Sequence, residues 1–262
     1  MSENDIRGRF VWYELLTSDP KQAIRFYTEV IGWGTQDWES GQNYTMWTVK
    51  EAPIGGVMQI PEEAKAAGVP PHWLPYIGTP DTDTTVKQAE KLGGKVLKPA
   101  DDIPTVGRFA VLADPQGAVF AVFTPQSDMG GGAGGESGPS EGHFSWHELA
   151  TTDHEAAFDF YRDLFGWEKT EAMDMGEAGI YQMYGRGGPP LGGIYNKPSE
   201  MPGPPAWLCY VLIDDVAEGV ERVKNNGGQL LNGPMEVPGG DQIAQCLDPQ
   251  GAAFALHSRS AG

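Results

Sequence analysis

Two spacings of apolar residues alternate along this chain, and they predict strands followed by helices. Residues 10–16 alternate aromatic and branched side chains with polar ones, which is typical of a half-buried strand. The following segment repeats apolar residues every three or four positions, which predicts one buried helix face carrying Ala23, Phe26, Tyr27, Val30 and Ile31. Asp19 is the expected N-cap, Pro20 the first helical residue and Gly32 the stop.

The same order of elements returns further along the chain. Short strands are predicted at 34–39, 43–49 and 55–60, and then a second unit with a strand at 74–78, a helix at 84–92 and strands near 95–98, 107–113 and 118–123. Residues 114–117, Asp-Pro-Gln-Gly, match a type I turn and predict a hairpin. Each unit is therefore a βαβββ module, and one module buries too little surface to stand alone.

The chain contains an internal duplication. Residues 8–33 match residues 142–167 at an offset of 134, with about half of the positions identical. The offset drifts to 137 where Tyr44 matches Tyr181 and the glycine pair 55–56 matches 192–193. We predict an α+β fold of four βαβββ modules paired into incomplete barrels with helices outside. The domains would be residues 1–126 and 142–262, joined by a Gly/Ser-rich linker at 127–141.

Composition narrows the functional classes. The net charge of −18 argues against nucleic acid and against an anionic membrane surface, since both are bound by clustered Lys and Arg. No apolar run approaches the roughly 18 residues of a membrane span, and the N-terminus has no signal-peptide pattern. Cys209 and Cys246 lie in apolar runs and are expected to be buried and reduced. We expect a cytoplasmic protein that is a monomer or a homodimer.

The block WxEL…T.D…A..FY…GW and the DPxG hairpin, both present twice, resemble the vicinal oxygen chelate superfamily of glyoxalases, bleomycin-resistance proteins and dioxygenases. The resemblance covers almost the whole chain. More narrowly, the chain resembles the two-copy bacterial branch labelled glyoxalase-like or hydroxylase-like, which includes a mycobacterial antigen. It implies that paired modules roll their sheets into a cup for a divalent metal and a small substrate. Membership does not fix the reaction.

At the positions where the resemblance implies metal ligands, this chain has other residues. They are Trp12 and Trp146 on the first strands, Ala121 and Ala255 after the DPxG turns, the two glycine pairs, and Leu74 or Pro75 with Leu208 or Cys209. Apart from Cys209, none of these side chains is a usual ligand. We therefore predict no metal site and no other cofactor.

Strand alternation indicates what the cup would present instead, because residues two apart share a face. Glu14 lies two residues after Trp12, Glu148 two after Trp146, and Phe123 and His257 two after the alanines. We predict Glu14, Glu148 and His257 as catalytic residues and Trp12, Phe123 and Trp146 as ligand-binding residues. Aromatic walls with a carboxylate form a reasonable small-molecule pocket.

Several alternatives stay open at this point. The two glutamates could instead be buried structural carboxylates, the tryptophans could belong to the core, and His257 could be a partner of Glu148. His147 is expected to face the helix as a structural residue. The leading hypothesis is a metal-independent protein that binds or converts a hydrophobic or carbonyl-bearing metabolite, or only sequesters it. The rivals are a metal-dependent lyase or dioxygenase using Glu148, His257 and Cys209, and a protein-binding role for the acidic surface.

Overall fold

The computed structural model describes residues 6–38, 44–126 and 138–260. They form an α+β fold of four modules, as predicted. The first half contains β1 (Phe10–Thr17), α1 (Pro20–Ile31), β2 (Gly34–Asp37), β3 (Tyr44–Val49), β4 (Ala52–Gln59), α2 (Glu62–Ala66), β5 (His72–Gly78), α3 (Thr82–Lys91), β6 (Lys95–Ile103), β7 (Gly107–Ala113) and β8 (Val119–Pro125).

The second half repeats this order, with a short 3₁₀ turn at Gly176–Ala178. Its elements are β9 (Phe144–Thr151), α4 (His154–Phe165), β10 (Glu168–Asp174), β11 (Ile180–Gly185), β12 (Pro190–Asn196), β13 (Ala206–Leu212), α5 (Val216–Asn225), β14 (Gln229–Glu236), β15 (Gln242–Leu247) and β16 (Ala253–Ser258).

The strands form two eight-stranded sheets, one from each half of the chain. Their orders are β2-β3-β4-β1-β5-β8-β7-β6 and β10-β11-β12-β9-β13-β16-β15-β14. Within a module the first strand pairs parallel with the last, as β1 does with β4, and the remaining neighbours are antiparallel. Each sheet runs between two edge strands and is therefore open.

The local signals at the helix ends and turns are confirmed. The Asp19 carboxylate accepts from the backbone N–H of Gln22 at 3.0 Å, and Gly32 adopts the left-handed conformation with φ of 86°. Asp153 and Gly166 do the same for α4. At the first DPxG turn, the Asp114 carboxylate accepts from the backbone N–H groups of residues 116 and 118, both at 2.9 Å.

The strand boundaries differ from prediction where side chains are exposed. Strand β6 extends to Ile103, well beyond the predicted 95–98, and α2 was not predicted at all. Most of β6 is exposed and α2 has no buried residue, so neither carries the apolar alternation on which the prediction depended. Strand β4 likewise begins at Ala52 instead of residue 55, because its first two residues are exposed.

The described residues divide into two compact units, and each unit contains modules from both halves of the chain. One comprises residues 6–11, 75–126 and 146–208, and the other comprises 12–38, 44–74, 138–145 and 209–260. In the first unit the Tyr161 hydroxyl donates to the Asp114 carboxylate at 3.1 Å. In the second unit Tyr27 donates to Asp248 at 3.3 Å. The turn of one copy is thus bonded to the helix of the other.

The two remaining predictions concern the linker between the copies and membrane-spanning helices. Most of the predicted linker, residues 127–137, lies outside the described residues. The helices of the described residues are at most 12 residues long, and none of them is long and apolar enough to cross a membrane.

Candidate functional site

Three side chains form a hydrogen-bonded cluster on β9 and β11. The indole Nε1 of Trp146 donates to the Tyr181 hydroxyl at 2.7 Å, and that hydroxyl donates to Oε2 of Glu148 at 3.1 Å. Glu148 is buried, with 8% of its surface exposed. Burial, with the nearby charge of Glu148, raises the pKa of Tyr181 well above its usual value. The tyrosine therefore stays protonated and donates to the carboxylate.

The first copy contains the same cluster on β1 and β3. Trp12 Nε1 donates to the Tyr44 hydroxyl at 2.9 Å, and that hydroxyl is also hydrogen-bonded to Glu14. Burial raises the pKa of Tyr44, and the charge of Glu14 raises it further. We call each set a Trp–Tyr–Glu cluster: Trp12, Tyr44 and Glu14 in one unit, and Trp146, Tyr181 and Glu148 in the other.

The glycine pairs explain how the tyrosine reaches its partners. Each pair lies on the strand between the tyrosine and the glutamate, where Gly56 pairs with Glu14 and Gly193 with Glu148. An added Cβ at Gly56 would lie 2.0 Å from the Tyr44 hydroxyl, and one at Gly193 would lie 2.0 Å from Cε1 of Tyr181. The ring crosses the middle strand where that strand has no side chain.

The other glycine of each pair permits a close approach of two backbones. An added Cβ at Gly55 would lie 2.3 Å from the Tyr13 carbonyl oxygen, and one at Gly192 would lie 1.8 Å from the His147 carbonyl oxygen. Both members of each pair therefore lie where a side chain would clash, one with the tyrosine ring and one with the neighbouring backbone.

Replacing Gly193 by alanine should displace Tyr181 from Glu148. The added methyl would overlap the ring, so the ring must move or the strands must separate. Overpacking of this kind costs about 1–3 kcal/mol of unfolding free energy. Urea denaturation followed by tryptophan fluorescence measures it. G188A is the matched control, because an added Cβ at Gly188 meets nothing within 4 Å. Equal stability of the two variants would contradict the crossing geometry.

His257 does not form the hydrogen bond with Glu148 that its position on the strand suggested. Its Nε2 lies 2.9 Å from Oδ2 of Asp241, and its Nδ1 lies 2.9 Å from the Ser145 hydroxyl. Both ring nitrogens are therefore occupied by groups other than Glu148. The hypothesis that His257 is hydrogen-bonded to Glu148 is wrong for this structure.

Phe123 occupies the matching position in the first copy. It is half-buried on β8 and pairs with Phe109 across the strands. An added Cβ at Gly107 would lie 2.6 Å from the Phe123 ring, so the ring fills the space that Asp241 occupies in the second copy. This part of the first copy is apolar, whereas its counterpart is polar.

His147 is a buried residue of β9. Its ring stacks on Phe10 with centroids 3.6 Å apart, and its Nδ1 lies 2.8 Å from the Leu191 carbonyl oxygen. Burial lowers the pKa of His147 to about 4. The imidazole is therefore neutral near pH 7 and, as a donor from Nδ1, satisfies the carbonyl of the neighbouring strand.

The side chains at the implied metal positions do not suit a divalent ion. The indole N–H groups of Trp12 and Trp146 are donors already used by tyrosines, and an indole offers no lone pair for a metal. Burial raises the pKa of the Cys209 thiol, which disfavours the thiolate that a metal requires. Across residues 6–38, 44–126 and 138–260, no group of three or more His, Cys, Asp or Glu could hold an ion.

The sequence predicted the tryptophans and glutamates but missed four partners. Tyr44 and Tyr181 were noted only as matching positions of the repeat, and their reach across a glycine strand was not inferred. Ser145 and Asp241 could have been found by asking where the two copies differ in polarity, since the matching positions are Val11 and Gly107. That comparison identifies residues that alternation alone does not.

The chain belongs to the glyoxalase/bleomycin resistance protein/dioxygenase superfamily, whose model matches residues 9–122 and again 142–256. It is 31% identical over 249 residues to CFP32 of Mycobacterium bovis, which carries a glyoxylase name, covering 94% of this chain and 92% of that protein. It is also 28% identical over 273 residues to the anthracycline biosynthesis protein DnrV of Streptomyces peucetius, covering 95% of this chain and 92% of DnrV.

Solved structures agree in fold. The Mn(II)-bound glyoxalase from Novosphingobium aromaticivorans superimposes with a TM-score of 0.64 at 18% identity, covering 98% of this chain and 83% of that one. The 2,3-dioxygenase LapB from Pseudomonas sp. KL28 also gives 0.64, at 13% identity, with 98% and 93% covered. At these identities the likeness concerns the fold and not the reaction.

Proposed function

We propose that the protein is a metal-independent member of its superfamily that binds a small, hydroxyl-bearing aromatic or hydrophobic metabolite at its Trp–Tyr–Glu clusters. The observation that carries this proposal is the occurrence of the same hydrogen-bonded cluster in both copies. It begins on the strand where the family implies the first metal ligand. A carboxylate held by a tyrosine would take over the anchoring role of the metal.

The hydrogen-bond inventory of the cluster indicates what kind of group the ligand would present. A tyrosine hydroxyl has one proton, and Tyr181 gives it to Glu148 while accepting from Trp146. An ionised carboxylate only accepts. The ligand group that binds Glu148 would therefore be a donor, such as a hydroxyl, or an acidic C–H beside a carbonyl. In the latter case Glu148 and Glu14 would act as general bases.

An aromatic surface beside Glu148 supports a planar ligand in the second copy. Tyr195 stacks on Tyr181 with centroids 5.8 Å apart, and burial raises the pKa of Tyr195, with the charge of Glu148 adding to it. The relative DnrV is named as an anthracycline biosynthesis protein, which makes a ring-containing ligand reasonable here. The buried free thiols Cys209 and Cys246 support a cytoplasmic location.

A fluorescence titration tests the proposal. We expect 1,2-dihydroxyanthraquinone, a planar dihydroxy compound, to quench the tryptophan fluorescence of the purified chain in a saturable way. E148Q should weaken binding about tenfold to hundredfold, because hydrogen bonds to a charged group contribute about 1.5–3 kcal/mol. E14Q should reduce the number or affinity of sites in the same way. Excess EDTA should leave the titration unchanged.

The matched control is E168Q, since Glu168 is an exposed glutamate on β10. It should bind as the wild type does. If E148Q instead unfolds about 1–3 kcal/mol more easily and binds normally, Glu148 is a structural carboxylate and the proposal is wrong. Loss of binding on chelation would favour the metal-dependent alternative.

A further inference from the structure

The second copy contains a hydroxyl, an imidazole and a carboxylate in line. The Ser145 hydroxyl is 2.9 Å from Nδ1 of His257, and Nε2 of the same ring is 2.9 Å from Oδ2 of Asp241. We propose that Ser145 is a nucleophile for acyl transfer from small esters, with His257 as its general base and Asp241 orienting the ring. Such arrays are recognised by geometry and roles and occur on unrelated folds.

The protonation pattern of the array is set by its partners. The Asp241 carboxylate also accepts from the backbone N–H of Ser260 at 2.9 Å, and this bond and His257 hold the pKa of Asp241 below its usual value. An ionised carboxylate at Nε2 keeps the ring proton there, which leaves the Nδ1 lone pair to accept from the serine hydroxyl. A neutral ring with its proton on Nε2 is the tautomer that a general base at Nδ1 needs.

The array is also reachable. The His257 side chain is 17% exposed and that of Asp241 is 33% exposed, while Ser145 is half-buried. The Ser145 hydroxyl has one proton to donate, either to Nδ1 of His257 at 2.9 Å or to the Tyr210 carbonyl oxygen at 3.3 Å, and the bond to the imidazole is the shorter one. The hydroxyl is thus held near the ring without being enclosed.

The differences between the two copies indicate that the array has a role other than packing. At the offset of 134, Ser145, Asp241 and His257 correspond to Val11, Gly107 and Phe123. All three members of the array are absent together from the first copy. That copy folds into the same strands without them, so the fold does not require the array.

The second copy adds one more polar pair beside the array. The Gln245 amide donates to the Tyr210 hydroxyl at 3.0 Å, whereas the first copy has Val111 at the position that matches Gln245. Tyr76 matches Tyr210, so the tyrosine is common to both copies and only its polar neighbours differ. The polarity is therefore concentrated in one copy, as expected if that copy alone carries this chemistry.

The reaction balances with groups on the chain and one water. Ser145 Oγ attacks the ester carbonyl carbon while its proton passes to Nδ1 of His257, and Asp241 stabilises the imidazolium. The ester C–O bond breaks, and the leaving alkoxide takes that proton from Nδ1. Water then attacks the acyl-serine, again through His257, and releases a carboxylic acid and the free serine. This proposal uses none of the residues of the Trp–Tyr–Glu clusters, so either proposal can fail alone.

A fluorophosphonate probe tests the proposed nucleophilicity of Ser145 on the full-length protein. The serine oxygen displaces fluoride, and the adduct is located by intact mass and peptide mapping. We expect a single adduct on Ser145 and slow hydrolysis of p-nitrophenyl acetate. S145A should abolish the adduct, and D241N should slow labelling by about hundredfold, the usual scale of lost general-base assistance. S140A is the matched control, since Ser140 lies 3.0 Å from Nδ1 of another histidine, His143.

A further variant separates chemistry from folding. H257F alone would push a phenyl ring against the Cβ of Asp241, because an added Cβ at Gly107 lies 2.6 Å from Phe123. The triple change S145V/D241G/H257F installs the residues of the first copy together. It should keep the wild-type melting temperature and circular dichroism but take up no probe. Folded wild type without an adduct, an adduct that remains in S145A, or labelling that D241N leaves unchanged would each overturn the proposal.

Discussion

Neither half of the chain, residues 1–126 or 142–262, should fold as a stable monomer when expressed alone. Each compact unit is built from both halves, and its buried contacts join them. Without the second half, Tyr27 loses Asp248 and Phe26 loses Phe254, whose ring centroids are 5.8 Å apart. The apolar side chains that these contacts bury would become exposed, and a single pair of modules buries too little other surface to compensate for that loss.

The measurement is size-exclusion chromatography with circular dichroism on each half. We expect aggregation, or a dimer in which a second copy of the same half replaces the missing one. Co-expression of the two halves should restore a one-to-one complex. Full-length protein cut at a protease site inserted within residues 127–137 should also elute as one species. A monomeric half with a cooperative thermal transition would contradict this expectation.

This interleaving is the part of the fold that the sequence could not predict. Helix α1 and the DPxG turns have local causes, a cap and a turn residue, and were located correctly. The bond between Tyr27 and Asp248 joins residues 221 positions apart, and the one between Tyr161 and Asp114 joins residues 47 apart. Nothing in the local pattern distinguishes a tyrosine that packs within its own copy from one that packs on the other copy.

The part of the candidate site that lies on a single strand could be predicted from the sequence. Alternation placed Trp146 and Glu148 on one face of their strand, and both contribute to the same cluster. Tyr181 comes from a strand two places away and reaches them only because Gly193 leaves the middle strand bare. Alternation also placed His257 on the predicted cup face, two residues after Ala255. Its partners depend on sheet register, which periodicity does not provide.

The second expected result is an acid-sensitive stability that depends on His147. Its pKa is about 4 in the folded chain because burial disfavours the charged ring, against about 6.5 when unfolded. The unfolded chain therefore binds the proton more readily. The stability from a neutral His147 is fully present above pH 6.5 and is lost as the pH falls towards 4. The shift corresponds to about 3 kcal/mol in total, and to about 2 kcal/mol at pH 5.

Urea denaturation at pH 7.5 and pH 5.0 measures this loss. H147Y installs the residue that the first copy carries at the matching position, Tyr13, and H147Q is a second replacement that does not titrate in this range. Each variant changes packing against Phe10 and so shifts stability at both pH values. The difference between the two pH values should nevertheless shrink by about 2 kcal/mol in both variants. If either variant keeps the wild-type difference in unfolding free energy between the two pH values, protonation of His147 does not cause the acid sensitivity. Tyrosine and glutamine both stay neutral in this pH range, so each replacement should remove the effect of that protonation.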